Sequence, residues 1–188
     1  MPTMGLPITG GPAADELTIG VALQIPQPWA DLLQRRREEF GDPQARAIPT
    51  HVTLLPPTAV PLLQVGQIQA HLAAVAAALT PFELRLEGTD TFRPVSPVVF
   101  VRVAQGGEGC DAAQRAVRTG PLQRDLTFPF HPHVTVAHHL DDAALDGAMA
   151  VLADFSASFV VDAFVMYEHG ADGVWRPRER FDFGGPAA

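Results

Sequence analysis

Two short stretches carry the residue types that move protons at neutral pH: HVTLLPPT over 51–58 and HPHVTVAHHL over 131–140, each containing His-Val-Thr. On a strand, side chains two apart share a face. His51 then points with Thr53 and His133 with Thr135, while Val52, Leu54, Val134 and Val136 take the opposite, helix-covered face. An ordinary half-buried strand fills both positions with Val or Ile, so two matched exceptions point to a site. Imidazole, with an unperturbed pKa of about 6.5, gives or takes a proton near neutrality. A threonine hydroxyl hydrogen-bonds oxygens on which negative charge builds up. Displacement at phosphorus needs a base on the attacking oxygen and an acid on the departing one, on opposite sides, each supplying roughly 10²- to 10⁴-fold. Two histidines and two hydroxyls converging on one phosphate would make a minimal metal-free site for cleaving a phosphodiester.

Bringing the four together demands a particular framework, and the hydrophobic periodicity supplies one. LTIGVALQI (17–25) alternates as a strand and stops at Pro26 and Pro28. WADLLQRRREEF (29–40) places Trp29, Leu32, Leu33 and Phe40 on one helical stripe and ends at Gly41 and Pro43. THVTLL is the next strand, closed by Pro56 and Pro57; PLLQVGQIQAHLAAVAAAL (61–79) is a helix despite Gly66; FELRLEGTDTF is a strand. The order then restarts. PVVFVRVAQ is a strand, EGCDAAQRAVRT a helix, HPHVTVAHHL a strand, DDAALDGAMAVLADF a helix capped by Asp141 or Asp142, and SFVVDAFVMYEH a strand; VWRPRERFDF follows the turn ADG as the last strand.

Strand starts at 18 and 98, triplets at 51 and 133 and helix starts at 61 and 141 give offsets of 80, 82 and 80. This is a repeat of pattern more than of letters. The expected fold is α+β and bilobal, built from duplicated strand-helix-strand-helix-strand units with a first lobe over about 15–95 and a second over about 96–183. An approximate twofold between the lobes would leave a central cleft to which each contributes one His and one Thr. Residues 1–14 and 184–188 are expected to be loose tails.

Composition narrows the partners. A 20.1 kDa chain with 47% hydrophobic and 18% charged residues has enough apolar surface for one real core. No window approaches the roughly 18 unbroken apolar residues of a membrane span, and no basic stretch followed by an apolar one opens the chain, so a cytoplasmic location away from membranes is expected. Thirteen basic residues, all arginine, against 21 acidic ones give a net charge of −8, which repels duplex nucleic acid. A small phosphate ester in a pocket stays compatible with that charge. The one dense basic cluster, Arg35 to Arg37, is followed at once by Glu38 and Glu39 and reads as a solvated helix face. Cys110, the single cysteine, excludes an internal disulfide and a multi-cysteine zinc site and reads as a small buried residue rather than a nucleophile.

The paired H-x-T triplets, each followed by an apolar residue within IPTHVTLLPP and FPFHPHVTVAH, resemble the signature of the 2H phosphoesterase superfamily, in particular its bacterial 2′-5′ RNA ligase and RNA 2′,3′-cyclic phosphodiesterase-like members. The resemblance spans residues 17–183. It implies antiparallel sheets lining a central groove, no metal or organic cofactor, catalysis by His51 and His133, and phosphate-oxygen binding by Thr53 and Thr135. Acid and base are interchangeable until a substrate polarity is known. The implied substrate is a cyclic or 2′-5′ phosphodiester of a small nucleotide or RNA end, hydrolysed or reversibly formed by a monomer. One position departs from the pattern: many RNA-directed members have an arginine three residues after the second threonine, where this chain has His138, and this bears on an RNA substrate specifically.

Phe92 and Tyr167, near strand ends in corresponding parts of the two halves, are candidates to stack a nucleobase at the cleft mouth, with Arg93 and His138 as candidate phosphate contacts. The competing reading for both aromatics is core packing. His131, His133, His138 and His139 invite a zinc interpretation, but capping explains the neighbouring Asp141 and Asp142, and chelation decides the matter. His71 reads as a packed or surface residue and His169, in the turn EHGADG, as solvent-exposed. A different class of answer is a non-catalytic module that holds a nucleotide or RNA end in the same groove.

Overall fold

Strand alternation and helical stripes pair up as one layered unit in the computed structural model, which describes residues 15–184. The elements follow in the order β1 (Glu16–Gln24), α1 (Trp29–Phe40), β2 (His51–Pro61), α2 (Val65–Ala78), β3 (Phe82–Thr91), β4 (Val98–Gln105), α3 (Gly107–Val117), β5 (His133–His138), α4 (Asp142–Val151), β6 (Ser156–Val161), β7 (Ala163–His169) and β8 (Trp175–Asp182). The expected tails 1–14 and 185–188 lie outside the described residues. Gly184, assigned to the C-terminal tail, is tied down: its N–H donates to Ala76 O at 3.1 Å.

All eight strands form one antiparallel sheet in the order β6-β3-β4-β5-β2-β1-β7-β8. Its two halves, β2-β1-β7-β8 and β5-β4-β3-β6, meet at a single residue pair, Val52 opposite Val134. The duplicated pattern is therefore present, with one correction. The lobe boundary near residue 95 divides the chain but not the sheet, because the third strand of each repeat is exchanged. β3 pairs with β4 and β6, and β7 pairs with β1 and β8.

The core lies on one face of this sheet. Val52, Leu54, Leu55, Val134, Val136 and Ala137 pack there with Leu33 of α1, Ile68 and Leu72 of α2, Cys110 and Val117 of α3 and Leu145 of α4. At roughly 25 cal/mol per Å², burial of these aliphatic side chains is the main force setting strand register. Asp141 caps α4 by accepting from Ala144 N–H at 2.8 Å.

Two expected boundaries moved. β2 runs on through Pro56 and Pro57 to Pro61, because both prolines fall where the β1 ladder shifts register and β5 pairs with β2 only at Val52, so no ladder bond needs their missing N–H. The stretch 158–169, expected as one strand, breaks at Asp162 where the chain passes from one half-sheet to the other.

Candidate active site

Opposite the core, the antiparallel pairing at Val52–Val134 sets four polar residues around one point. The next residues outward from that pair are His51 beside Thr135 and Thr53 beside His133, so the imidazoles occupy one diagonal of a square and the hydroxyls the other. On the flanks, Gln24 and Ala22 of β1 face His51 and Thr53, and Arg102 and Phe100 of β4 face His133 and Thr135.

Both rings are held by the same device. The Nδ1 of His51 lies 2.7 Å from Pro49 O and that of His133 lies 2.7 Å from His131 O, each two residues upstream. A carbonyl only accepts, so Nδ1 carries the proton and Nε2 is left with its lone pair. In His51 that Nε2 takes a hydrogen bond from Thr53 Oγ1 at 3.0 Å. Burial pushes the His51 pKa down to about 4, against the Pro49 bond, with Arg37 and His133 lowering it further. Burial also lowers His133, opposed by its bond to His131 and reinforced by the charge of that ring. Both pKa values lie below 6.5, so both imidazoles are neutral at pH 7.

Residues 25–173 match the family described as the 2′-5′ RNA ligase superfamily. The chain belongs to this family. It is the 2H phosphoesterase grouping that the two triplets resemble. A protein of Halalkalibacterium halodurans named as a phosphoesterase is 26% identical over 170 residues, covering 89% of this chain and 98% of its own length. A Bacillus licheniformis protein named likewise is 28% identical over 167 residues, covering 88% of this chain and 98% of its own. Among solved structures, E. coli LigT with NADP+ superposes at a TM-score of 0.62 with 20% identity, covering 90% of this chain and 99% of that one, a likeness of fold.

Straight after the threonine, this 2H phosphoesterase carries a bulge in both triplet strands. Leu54 and Leu55 both turn into the core, as do Val136 and Ala137, and the ladder shifts register beside each pair. The extra residue flips the alternation, so His138 returns to the face of His133 and Thr135. Its Nε2 is buried without a hydrogen-bond partner, its ring stacks on His139 at 3.6 Å, and burial, with help from His139, pushes its pKa down to about 4. A neutral imidazole thus stands at this position of the groove.

The remaining candidates separate. Phe92 packs edge-on to His133 at 4.9 Å and against Phe100 at 4.4 Å, walling the second triplet. Tyr167 is buried in a pocket beside the first; its hydroxyl accepts from Gln24 Nε2 at 3.0 Å, and burial raises its pKa. Arg93 is spent elsewhere: its guanidinium pairs with Asp142 at 3.1 Å and Asp146 at 2.6 Å on α4. Among the described residues, no three or more His, Cys, Asp or Glu side chains gather as a ligand set. His169 is half-buried against Trp175 at 4.8 Å, not fully solvated. His71 packs with Nε2 at 3.2 Å from Val117 O, and buried Cys110 has its thiol pushed up to about 12, far from a nucleophile. Among the described residues, no helix is long and apolar enough to cross a membrane.

Sequence reasoning missed Gly20, Ala22, Ile48 and Trp175, which with His51, Thr53 and Tyr167 line a shallow, open pocket. The available signal was Gly20, a glycine inside a strand pattern, which marks a close approach. A Cβ there would sit 3.3 Å from the Trp175 ring.

Proposed function

We propose that this chain is a metal-independent phosphoesterase that hydrolyses, or reversibly forms, a cyclic or 2′-5′ phosphodiester in a small nucleotide or at an RNA end. The observation that carries the reading is the diagonal pair of imidazoles around Val52–Val134, with a hydroxyl beside each. One histidine takes the proton of the attacking water, or of a ribose hydroxyl, as the new P–O bond forms. The other donates its proton to the departing ester oxygen as the old P–O bond breaks, while Thr53 and Thr135 hydrogen-bond the non-bridging oxygens. Since burial keeps both imidazoles neutral at pH 7, the phosphodiester anion itself favours protonation of the one that acts as acid. The bonds to Pro49 and His131 keep both Nε2 atoms turned toward the phosphate throughout.

Two observations support a nucleotide. E. coli LigT, which shares this fold, has been crystallised with 3′-AMP, NADP+ and ATP. The pocket beside His51 is mostly apolar and lined by the rings of Tyr167 and Trp175, which offer aromatic surface to a planar base. The test is turnover of cyclic nucleotides, cyclic-phosphate-ended RNA, 2′-5′ dinucleotides and ADP-ribose cyclic phosphate with excess EDTA. The expected result is hydrolysis of at least one, bell-shaped in pH and abolished by His133→Ala. Activity lost to the chelator and restored by a metal overturns the mechanism. Tight binding without turnover of any of them, unchanged in His133→Ala, makes the groove a non-catalytic module.

A further inference from the structure

Arg37 belongs to a run of three arginines that reads as solvent-facing, yet its side chain is 3% exposed and that of its partner Asp42 is fully buried. The helix end explains the pairing. Gly41, at φ 82°, turns the chain back at the end of α1, and Asp42 N–H donates to Arg37 O at 3.1 Å. This brings the carboxylate onto the guanidinium, where Nε and Nη2 of Arg37 both donate to Asp42 Oδ2, at 3.1 and 3.0 Å. The remaining arm, Nη1, donates to Ile48 O at 2.9 Å. The next carbonyl in the chain, Pro49 O, is the one that holds His51. Asp42 Oδ1 also accepts from Gln44 N–H at 2.8 Å, Gln34 donates to Ala45 O, and Trp175 N–H donates to Ala47 O at 2.7 Å. The loop from Asp42 to Thr50 is thus pinned from α1 and β8 immediately before the first triplet.

Among the described residues, no such clamp serves the second triplet. The helix position four before the C-cap, Arg37 in α1, is Gln114 in α3; it is equally buried but bonds Asp111 and Arg118.

From this geometry we infer that Arg37 is a positioning residue for His51. Through Ile48 and Pro49 it fixes which ring nitrogen of His51 carries the proton and where Nε2 points. The charged and titratable groups that face His51 or its clamp are Arg37 and its partner Asp42 from the α1 end, His133 and His138 from β5, and Tyr167 from β7. The inference rests on the two-histidine reading for its kinetic consequence, but its structural consequence can be read without turnover.

The experiment uses Arg37→Met and, because Met leaves the buried Asp42 unpaired, also Arg37→Lys, which retains charge but reaches only one of the two acceptors. Nitrogen chemical shifts of the His51 ring report the tautomer. Wild type is expected to show Nδ1–H alone, and both variants a mixture with Nε2–H. With a turned-over substrate, kcat should fall about 100-fold for Met and less for Lys, with KM within about threefold. In a His51→Ala background, Arg37→Met should cost less than about twofold more. A folded variant with the wild-type tautomer overturns the inference, as does an equal loss with and without His51. If no substrate is turned over but the tautomer changes, the clamp stands and the proposed reaction falls.

Discussion

The two half-sheets share everything the proposed reaction needs and little else. Each has H-x-T on its inner strand, a bulge straight after it, and a carbonyl two residues upstream on Nδ1. Their surroundings diverge. Beside the first triplet, Gly20 and Ala22 leave room, and Trp175 and Tyr167 wall an open pocket. Beside the second, Val98 and Phe100 hold the equivalent places, and Phe92, Phe100 and His131 crowd the His133 ring. Displacement at phosphorus is nearly symmetric in its demands, with one proton arriving and one leaving. The proposed substrate is not symmetric, having a nucleoside on one side and water or a hydroxyl on the other. A duplicated fold can keep the acid–base pair matched while one side specialises in recognition.

The matched part is the easiest to break. His51→Ala and His133→Ala should each lower kcat/KM by about 10²- to 10⁴-fold, by amounts within tenfold of each other, with circular dichroism unchanged. If one variant kept full activity while the other lost it, the histidines would not be partners on one phosphorus, and the likeness of the two halves would be ancestry without shared function.

The parts legible in the sequence are those governed by simple periods. Strand alternation put His51 with Thr53 and His133 with Thr135, and α1 spans the stretch its apolar stripe marks, Trp29–Phe40. Illegible parts depend on where the chain departs from a period or on who sits next to whom. A bulge rotates His138 back to the groove, which alternation alone denies. Exchange of β3 and β7 follows from long-range pairing that local pattern does not encode. Arg37 looked solvated because its neighbours Arg36 and Glu39 are; only the turn at Gly41 delivers the carboxylate that allows its burial. The pocket draws on four strands, and no window of sequence contains it.

The unmatched part is sharpened by removing one aromatic from each side. Trp175→Ala should raise KM for a nucleotide substrate about 10- to 100-fold, in line with the 1–3 kcal/mol of base stacking, and leave kcat near wild type. Phe92→Ala, on the crowded side, should change KM less than about threefold. The reverse ranking would put the base beside His133 and invert the assignment of the two halves. Tyr167→Leu should follow Trp175→Ala in direction, and an unchanged KM there would leave the pocket without a stacking role.

The smallest effect lies in the pH dependence of stability, and it too is uneven between the halves. His51 and His138, both pushed down to about 4, flank the loop that Arg37 pins. In the unfolded chain each binds a proton near pH 6.5, while in the fold each resists until about 4. Between those values the unfolded state holds more protons, so stability must fall as pH falls, with the full advantage of the neutral rings present only above about 6.5. For partly exposed rings the loss is on the order of 1–2 kcal/mol each. His138→Gln keeps a neutral polar side chain and removes one titration. Melting followed at pH 7.5 and 4.5 should show the variant losing about 2–8 °C less than wild type, since about 1 kcal/mol moves a chain of this size by 2–4 °C. Carboxylate titrations contribute to both proteins and cancel in the difference. An identical loss would mean that His138 takes up its proton in the fold as readily as in the unfolded chain, so that burial does not hold the ring neutral, and a larger loss in the variant than in wild type would mean that the fold favours the charged ring.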